Sequence, residues 1–514
     1  MFEKLTQLIY EGKYNDALFE FQEEYLGIDE LEPEDASRLC VLEASLWEEL
    51  CDSGAEFDAI SRGLSYNPGN YELFYMLGLY YREINCNKAY LCFEMAQFYC
   101  TDPGDREVIR GELLNLKNYP PLRVRNVSIM ILSYNDLEIM RDCIDAIEKY
   151  QPAGSYEIVV VDNASTEEGV REFLREKAQC ADYPFKLIEN DENLGFSRGC
   201  NIGAANCNPE NDIFFLNNDA VLMQNALFFL RMGLYHKRSV GATSALSNSA
   251  SLQEIDVKEI LPDYESSSEL PWHRELGYNE ALEVFKKYAR KNCVPKHNPY
   301  ILRFRLTGFA LLVARQAIDS VSENGQVFDE FFSPAYFEDD DLGIRIARAG
   351  FEQYLCKESY IYHNGGGGFG DGNSVLEESR HKFKDKWGFD IWGFSLPWFE
   401  AADQVIALAK EKKESLRVMD FSCGLGATAS YIKSICPEVY VAGGCGSAFE
   451  AGIASRIVDD CVWGDLNTVR LPWKAHSFDV VLAETRFISR GRIGECLAEG
   501  GTLIDNEVDE RDNL

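Results

Sequence analysis

Residues 127–135, VSIMILSYN, set the fold of the central part of the chain. A short run of apolar, partly β-branched residues ends here on polar ones, which is the pattern of a buried strand. Three similar runs follow, separated by amphipathic stretches that are typical of helices: YEIVVVD at 156–162, FKLIEN at 185–190 and DIFFLNND at 212–219. Strands that alternate with helices predict an α/β domain with a parallel sheet, whose ligands bind at the carboxyl ends of the strands.

The first 121 residues instead have apolar side chains at three- and four-residue spacings, which predicts helices. Pro33, Pro68 and Pro103 recur every 35 residues, a period typical of stacked helix pairs. The segment resembles tetratricopeptide repeats at the following residues: Gly12, Tyr14, Ala17, Phe21, Leu77, Gly78, Tyr81, Ala89, Phe93 and Ala96. The resemblance implies a concave surface for a protein or peptide partner. An irregular helical cap without a binding role is the alternative.

The charge balance excludes some classes of partner. The 514 residues include 50 basic and 85 acidic ones, a net charge of −35 that repels nucleic acid and anionic lipid. The first residues do not have the pattern of a signal peptide, and no apolar run is long enough to span a membrane. The 16 cysteines are scattered without a C-x-x-C pair, which favours reduced thiols and a cytoplasmic location over disulfides.

The central segment, from residue 127 to about 392, contains seven polar motifs. Four of them follow or adjoin the first apolar runs: SYN at 133–135, VDNAS at 161–165, ENLGFSRGCNIG at 192–203 and FLNND at 215–219. Three more come later: LTGFALLVARQAI at 306–318, FDEFFSPAYFEDDDLGIRIARAGF at 328–351 and YIYHNGGGGFG at 360–370. Between the two groups, the polar stretch at 247–268 predicts a mobile loop.

In this order, the motifs of residues 126–392 resemble glycosyltransferase family 2, the inverting enzymes with a GT-A nucleotide-binding fold, and most of all its rhamnosyltransferase-type members. The resemblance implies a UDP- or dTDP-sugar donor. It implies these donor-binding residues: Ser133, Tyr134, Asn135, Asp162, Asn163, Asn193, Gly195, Arg198, Asn201, Asn217 and Asn218. Asp162 would accept hydrogen bonds from the base, and Arg198 would lie near the diphosphate.

The same resemblance implies a divalent metal site. Two nucleotide phosphates need a cation to offset their charge, and Mg²⁺ or Mn²⁺ prefers oxygen ligands. Asp219 holds the place of the family's metal-binding carboxylate, and His363 holds that of a histidine that completes the metal shell. Asn217 replaces the first Asp of the family's Asp-x-Asp motif, which weakens the expected metal affinity.

The acidic run at 338–341 provides the candidate catalytic residues. Inverting transfer needs one general base for the acceptor hydroxyl. The alignment gives Glu338 and Asp339 this position, with Asp339 as the base and Asp340 and Asp341 as competitors; Asp341 is expected to pair with Arg345 instead. Thr307 and Gly308 are expected to line the acceptor site.

Residues 398–514 again alternate strand, glycine turn and helix. DFSCGLGAT at 420–428 and FDVVLAET at 478–485 resemble class I S-adenosylmethionine methyltransferases. The acidic residue expected after the second strand is replaced by Gly444 and Cys445. We therefore expect a degenerate, Rossmann-like structural or interaction domain that does not use S-adenosylmethionine, rather than an active methyltransferase.

The sequence thus predicts three domains: helical repeats at 1–121, a GT-A glycosyltransferase domain at 126–392 and a methyltransferase-like α/β domain at 398–514. We expect an inverting, metal-dependent glycosyltransferase whose acceptor is a protein of the flagellin type, presented by the repeats and modified on Ser or Thr. A surface polysaccharide or lipid-linked saccharide is the alternative acceptor. A non-catalytic scaffold with degenerate α/β domains is the alternative of another class.

Overall fold

A computed structural model describes residues 2–25, 27–118, 122–267, 269–365, 372–412 and 415–505. A helical region comes first, a large mixed α/β sheet second and a smaller parallel sheet last. Pro120 and Pro121, the expected first boundary, and residues 506–514 of the expected third domain lie outside the described residues. No helix in the described ranges is long and apolar enough to cross a membrane.

The expected helical N-terminal region is confirmed. Its helices are α1 (Phe2–Tyr10), α2 (Tyr14–Tyr25), α3 (Pro33–Glu49), α4 (Ser53–Tyr66), α5 (Tyr71–Arg82), α6 (Cys86–Tyr99) and α7 (Pro103–Lys117). Pro33 and Pro103 begin helices, where their missing N–H costs nothing, and Pro68 lies in the turn before α5. Asp52, Asn70 and other short polar side chains cap the helix starts by accepting from backbone N–H groups.

The central domain is built on a sheet of nine strands within the described residues. Its strands are β1 (Val127–Ser133), β2 (Tyr156–Asp162), β3 (Phe185–Glu189), β4 (Asp212–Asn217), β5 (Ala220–Leu222), β6 (Val240–Leu246), β7 (Tyr300–Arg303), β8 (Ala310–Val313) and β9 (Glu352–His363). Its helices are α8 (Leu137–Tyr150), α9 (Val170–Cys180), α10 (Phe196–Asn206), α11 (Ala226–Leu234), α12 (Val257–Ile260), α13 (Trp272–Leu276), α14 (Tyr278–Asn292), α15 (Arg315–Val321), α16 (Glu338–Arg348), α17 (Gly372–Trp387) and α18 (Ile391–Ser395).

The strand order is β3-β2-β1-β4-β8-β6-β9-β5, with β7 paired to β9. The first four strands are parallel, as the sequence predicts, but β8 pairs antiparallel with both β4 and β6. The sheet is therefore mixed rather than parallel. Because β9 is parallel to β6, it also points the same way as β4, and its carboxyl end lies at the same edge of the sheet.

The C-terminal part forms a separate parallel sheet with the order β12-β11-β10-β13-β14. Its elements are α19 (Phe399–Glu411), β10 (Arg417–Asp420), α20 (Ala427–Ile435), β11 (Tyr440–Cys445), α21 (Ala448–Ala454), β12 (Asp460–Trp463), β13 (Phe478–Ala483), α22 (Arg490–Cys496) and β14 (Leu497–Asp505). The strand order reverses between β10 and β13, the usual place for a ligand crevice. The ring of Phe394 packs against the glycine turn after β10, since a Cβ at Gly424 would lie 3.0 Å from it.

Hydrophobic cores join these parts. One apolar core runs from helices α3–α7 through α11 into the central sheet, and a second runs from α16 and α17 into the C-terminal sheet. Polar contacts cross the first junction: the Tyr99 hydroxyl donates to Asn225 Oδ1 at 2.9 Å, and Arg231 forms a buried ion pair with Glu94. Helices α3–α7 are therefore packed onto the sheet domain, while α1 and α2 form a separate small core with residues of α3.

We predict that Glu94→Ala destabilises the chain by about 3–5 kcal/mol, because it leaves the guanidinium of Arg231 buried without its counter-charge. Urea denaturation followed by circular dichroism measures this loss. Glu107→Ala is the control, since Glu107 pairs with Arg110 on the surface and its loss is worth about 0.5 kcal/mol or less. If Glu94→Ala lost as little stability as Glu107→Ala, the ion pair of Glu94 and Arg231 would not be buried at the junction of the two regions.

Candidate active site

The carboxyl ends of the central strands bring together the polar motifs. Ser133, Asp162 and Asn217 end the strands β1, β2 and β4, and His363 ends β9. These four ends lie at one edge of the sheet because the strands point the same way. The candidate site is built around this edge.

The hydrogen bonds of His363 fix its tautomer. Its Nδ1 lies 2.6 Å from the carbonyl oxygen of Ser249, which can only accept, so Nδ1 carries the hydrogen. Its Nε2 then faces Asp219 Oδ1 at 3.4 Å, and the side-chain amide of Asn217 lies at the same distance. Both partners of the His363–Asp219 pair are largely buried, with side-chain exposures of 15% and 13%. A nitrogen lone pair and a carboxylate oxygen therefore face each other with little water between them.

This pair perturbs the titration of its members. Burial is the largest influence on the pKa of His363 and opposes the charged ring, but the carboxylate of Asp219 outweighs it and the pKa is raised. Burial likewise opposes charge on Asp219, but His363 outweighs it and the pKa of Asp219 is lowered. Burial and the charge of Asp219 raise the pKa of Asp136 nearby. A positive charge, either a proton or a cation, is thus favoured between His363 and Asp219.

The donor set of this pair fits a divalent cation in part. One carboxylate oxygen and one imidazole nitrogen are ligands that Mn²⁺ accepts. No group of three or more His, Cys, Asp and Glu side chains that could hold a metal occurs in the ranges that the structure describes. Asp219 and His363 would therefore have to share the cation with water or with the phosphates of a ligand.

Asp339 stands in the first turn of α16 and meets the predicted acceptor residue Gly308. Its Oδ2 accepts from the backbone N–H of Gly308 at 2.8 Å, and its Oδ1 accepts from that of Asp340. A Cβ at position 308 would lie 3.2 Å from the Asp339 Cβ, so glycine permits the contact. The next residue, Phe309, stacks on the His363 ring with centroids 4.9 Å apart. The dipeptide 308–309 thus links the carboxylate of Asp339 to the His363–Asp219 pair.

The other acids of α16 are placed differently. Glu338 was expected beside Asp339 as a catalytic residue, but burial and the charge of Asp339 raise its pKa well above the ordinary value. Both influences disfavour the carboxylate form that a general base needs, so Asp339 is the better placed of the two candidates. Burial also raises the pKa of Asp340 to about 7, although the carboxyl pairs with Arg305. Asp341 pairs with Arg345 at 2.8 Å, as the sequence predicts.

The loops after β1 and β2 are clamped together by Asn135. Its side-chain oxygen accepts from the N–H groups of Thr166 and Glu167, and its own N–H donates to the Ser165 hydroxyl at 2.9 Å. Asn218 donates to the Asn135 carbonyl oxygen at 3.2 Å. Beside this clamp Tyr134 is 40% exposed, which leaves its ring open to a ligand.

Several residues that are expected to touch the donor are buried in the structure. Asp162 is fully buried and accepts from Arg171 at 2.8 Å and from the Ser165 N–H, so its carboxylate also holds the loop that follows β2. The side chain of Asn201 donates to the Phe328 carbonyl oxygen and to Glu330, and its oxygen accepts from the N–H groups of Val327 and Phe328. Ser133 is also fully buried. The hydroxyl of Ser133 has no hydrogen-bond partner among the described residues, so of the three only Asp162 and Asn201 hold the fold by their side-chain bonds.

The ENLGFSR segment is held by similar contacts. Asn163 donates to Asn193 at 2.8 Å and to the Gly195 carbonyl oxygen at 3.2 Å. Gly195 has a φ of +80°, and a Cβ there would lie 2.6 Å from the Pro334 carbonyl oxygen. Arg198 is half exposed at the start of α10 and pairs with Glu330 at 3.1 Å. Of the predicted donor residues in this segment, Asn193 and Arg198 are exposed, while Gly195 and Asn201 are buried.

The stretch 247–268 makes ordered contacts with the site, which the sequence did not predict. The prediction of a mobile loop is wrong for its first part, because the buried Asn248 side chain bonds both backbone groups of His363 at 2.9 Å. Gln253, also buried, accepts from the N–H of Thr307, whose hydroxyl donates to the Ser251 carbonyl oxygen. Polar composition concealed these contacts, since buried polar residues that bond to backbone look like loop residues in a sequence.

Comparisons with known proteins bear on the same region. Residues 128–230 match the family model described as glycosyl transferase family 2. No curated protein matches the sequence.

Three solved structures resemble the chain at low identity. The crystal structure of GalNAc-T7 with UDP, GalNAc and Mn²⁺ is 15% identical with a TM-score of 0.35, over 46% of this chain and 43% of that one. The mannosyltransferase PcManGT from Pyrobaculum calidifontis, in complex with GDP-Man and Mn²⁺, is 16% identical with a TM-score of 0.33, over 54% of this chain and 68% of that one. S. aureus TarS 1-349 is 11% identical with a TM-score of 0.32, over 60% of this chain and 81% of that one.

The chain spans less than half the length of the first of these structures. The family match covers β1 to the middle of α11 and includes the candidate donor side, from Ser133 to Asp219. The similarity to glycosyl transferase family 2 is thus carried by residues 128–230.

Proposed function

We propose that the chain is an inverting glycosyltransferase that moves a sugar from a UDP- or dTDP-sugar to an acceptor hydroxyl. The observation that carries this proposal is the linkage of Asp339 to the His363–Asp219 pair through Gly308 and Phe309. The linkage joins a carboxylate that can take a proton to a pair of side chains that can bind a cation. Asp219 of this pair belongs to the residues that match the family-2 model.

Asp339 is the general base of the proposed reaction. It takes the proton of the acceptor hydroxyl as the acceptor oxygen bonds to the anomeric carbon and the bond from that carbon to the diphosphate oxygen breaks. The N–H of Gly308 donates to Asp339 Oδ2 and orients the carboxylate. Burial and the charge of Asp339 raise the pKa of Glu338 beside it, which disfavours a second negative charge at this position.

Asp219 and His363 are the protein ligands of the proposed divalent cation, Mn²⁺ or Mg²⁺. When bound, the cation offsets the charge of the diphosphate as it leaves. Arg198, exposed at the start of α10, is placed to contribute a further positive charge. In a chain with a net charge of −35, these groups are needed to admit an anionic donor.

The proposed acceptor is a protein of the flagellin type, presented by the helical region. Its first helix pair supports this proposal, because Tyr10 and Phe19 are 91% and 63% exposed there. Exposed aromatic side chains are common anchors of protein interfaces. A saccharide acceptor is the alternative that the experiments below distinguish.

We predict that Asp339→Asn lowers sugar transfer by about 100- to 10,000-fold, because the amide cannot take a proton. Release of UDP or dTDP from candidate donors with Mn²⁺, with acceptor present, measures it. Asp385→Asn, at an exposed carboxylate of α17, is the control and should retain activity. Intact turnover in both Asp339→Asn and Asp219→Ala would refute the assignments. If the wild type released nucleotide from no donor, the scaffold alternative would replace the proposal.

The raised pKa of His363 makes Mn²⁺ binding pH-dependent. Because the proton and the cation compete for Nε2, we expect Mn²⁺ affinity to fall by up to about tenfold per unit as pH drops below that pKa. Electron paramagnetic resonance titrations of Mn²⁺ with UDP from about pH 5.5 to 8.5 measure it. In His363→Ala the affinity should be lower and its pH dependence flatter. A wild-type affinity that does not change with pH would exclude His363 as a ligand.

We predict that the double variant Tyr10→Ser, Phe19→Ser loses transfer to a protein acceptor by at least about tenfold, since anchor residues dominate interface energies. Donor hydrolysis without acceptor should be unchanged, because both residues lie in the N-terminal helices. Mass spectrometry of candidate acceptor proteins measures the product. Equal protein modification by the double variant would favour the saccharide acceptor.

A further inference from the structure

A small cavity lies between the central domain and the C-terminal sheet, next to the proposed acceptor residue Thr307. Besides Thr307, its wall includes Ser251, Arg303, Arg305, Ala427 and Ser430. Its volume of about 10 Å³ has room for one water-sized group. Its lining is mostly apolar, with the arginines and Thr307 on the side of the central domain and Ala427 and Ser430 of α20 on the other side.

The charge of Arg303 has no partner in this cavity. Its buried Nε has no hydrogen-bond partner, and the side chain makes no ion pair with the part of the chain that the structure describes. The neighbouring Arg305 differs, because it pairs with Asp340 and donates to the Ser395 hydroxyl at 3.1 Å. Burial and the like charge of Arg305 lower the pKa of Arg303 to about 10, so it is still protonated at neutral pH.

Arg303 is partly exposed, with its Nε buried, and a charge that is largely withdrawn from water without a counter-ion is costly, so proteins normally pair or neutralise it. Arg303 is not paired although acidic residues outnumber basic ones by 35 in the chain. The first turn of α20, which contains Ala427, adds the partial positive charge of a helix N-terminus to the same cavity. The cavity therefore has an excess of positive charge and space for one oxygen atom.

We propose that this cavity binds an oxygen of an anionic group, a carboxylate or a phosphate, that the acceptor carries. The assignment to the acceptor rests on the proposed function: Thr307 lines the cavity, and Gly308, the next residue, contacts the base Asp339. One anionic oxygen enters the cavity toward Arg303, and the rest of the group lies outside on the side of Thr307. The C-terminal sheet then has a role in acceptor recognition, because α20 completes the pocket.

Binding of inorganic phosphate tests the site without any catalysis. Equilibrium dialysis with radiolabelled phosphate, in EDTA and at constant ionic strength, should show saturable binding to the full-length wild type. Arg303→Gln should weaken it at least tenfold, and Arg238→Gln, at an exposed arginine, should leave it unchanged. No binding to the wild type, or equal binding to Arg303→Gln, would overturn the proposal.

Thermal unfolding gives a second test, because the variant is expected to be more stable than the wild type. In phosphate-free buffer, Arg303→Gln should unfold at a higher temperature than the wild type, because it removes an uncompensated buried charge. Phosphate should raise the unfolding temperature of the wild type and leave that of Arg303→Gln unchanged. If Arg303→Gln instead unfolds at a lower temperature, Arg303 is a structural residue and the proposal fails.

Acceptor kinetics distinguish an acceptor group from a free anion. With a matched pair of acceptors, one bearing a carboxylate or phosphate and one neutral, Arg303→Gln should raise the KM of the anionic acceptor at least tenfold. The KM of the neutral acceptor and the rate of donor hydrolysis should not change. Equal KM values for the anionic acceptor in both proteins would refute the acceptor as the source. If no donor were turned over at all, the proposed function would fail while the phosphate results still stood.

Discussion

The hydrogen bond from His363 Nδ1 to the Ser249 carbonyl oxygen determines what the site can do. It leaves Nε2 without a hydrogen in the neutral ring, and it points that lone pair at the carboxylate of Asp219. Two electron-rich atoms that are 3.4 Å apart and mostly buried repel each other unless a positive charge lies between them. The fold therefore favours a positive charge, a proton or a cation, at the carboxyl edge of the sheet, where a nucleotide diphosphate would also need a cation.

The same edge is tied to both flanking parts of the chain. Gly308 and Phe309 connect the His363 ring to Asp339 on α16. The opposite side of α16 packs into the core that it shares with the C-terminal sheet, while helices α3–α7 share a core with the central strands. The flanking parts thus fix the positions of the strand ends and of the helix that carries the proposed base.

The sequence predicts the strands and the residues at their ends well, because burial enforces an apolar run and parallel strands end at one edge. It assigns Asp339 and Gly308, which a hydrogen bond joins in the structure, to the acceptor side. It does not show which polar residues at that edge face inward: Asp162 and Asn201 bond to the protein itself, and Glu338 is buried. Nor does it show that Ser249 and Asn248 hold His363, because residues distant in sequence make those contacts. Arg303 was missed because its lack of a partner is visible only in three dimensions.

Calorimetry of UDP binding to the wild type, with Mn²⁺ and with EDTA, tests the central claim most directly. If His363 and Asp219 form an incomplete cation site that the diphosphate completes, the two ligands must strengthen each other's binding reciprocally. We expect Mn²⁺ to lower the Kd of UDP by at least about tenfold, and UDP to lower the Kd of Mn²⁺ by the same factor. Equal UDP affinities in Mn²⁺ and in EDTA would contradict the account.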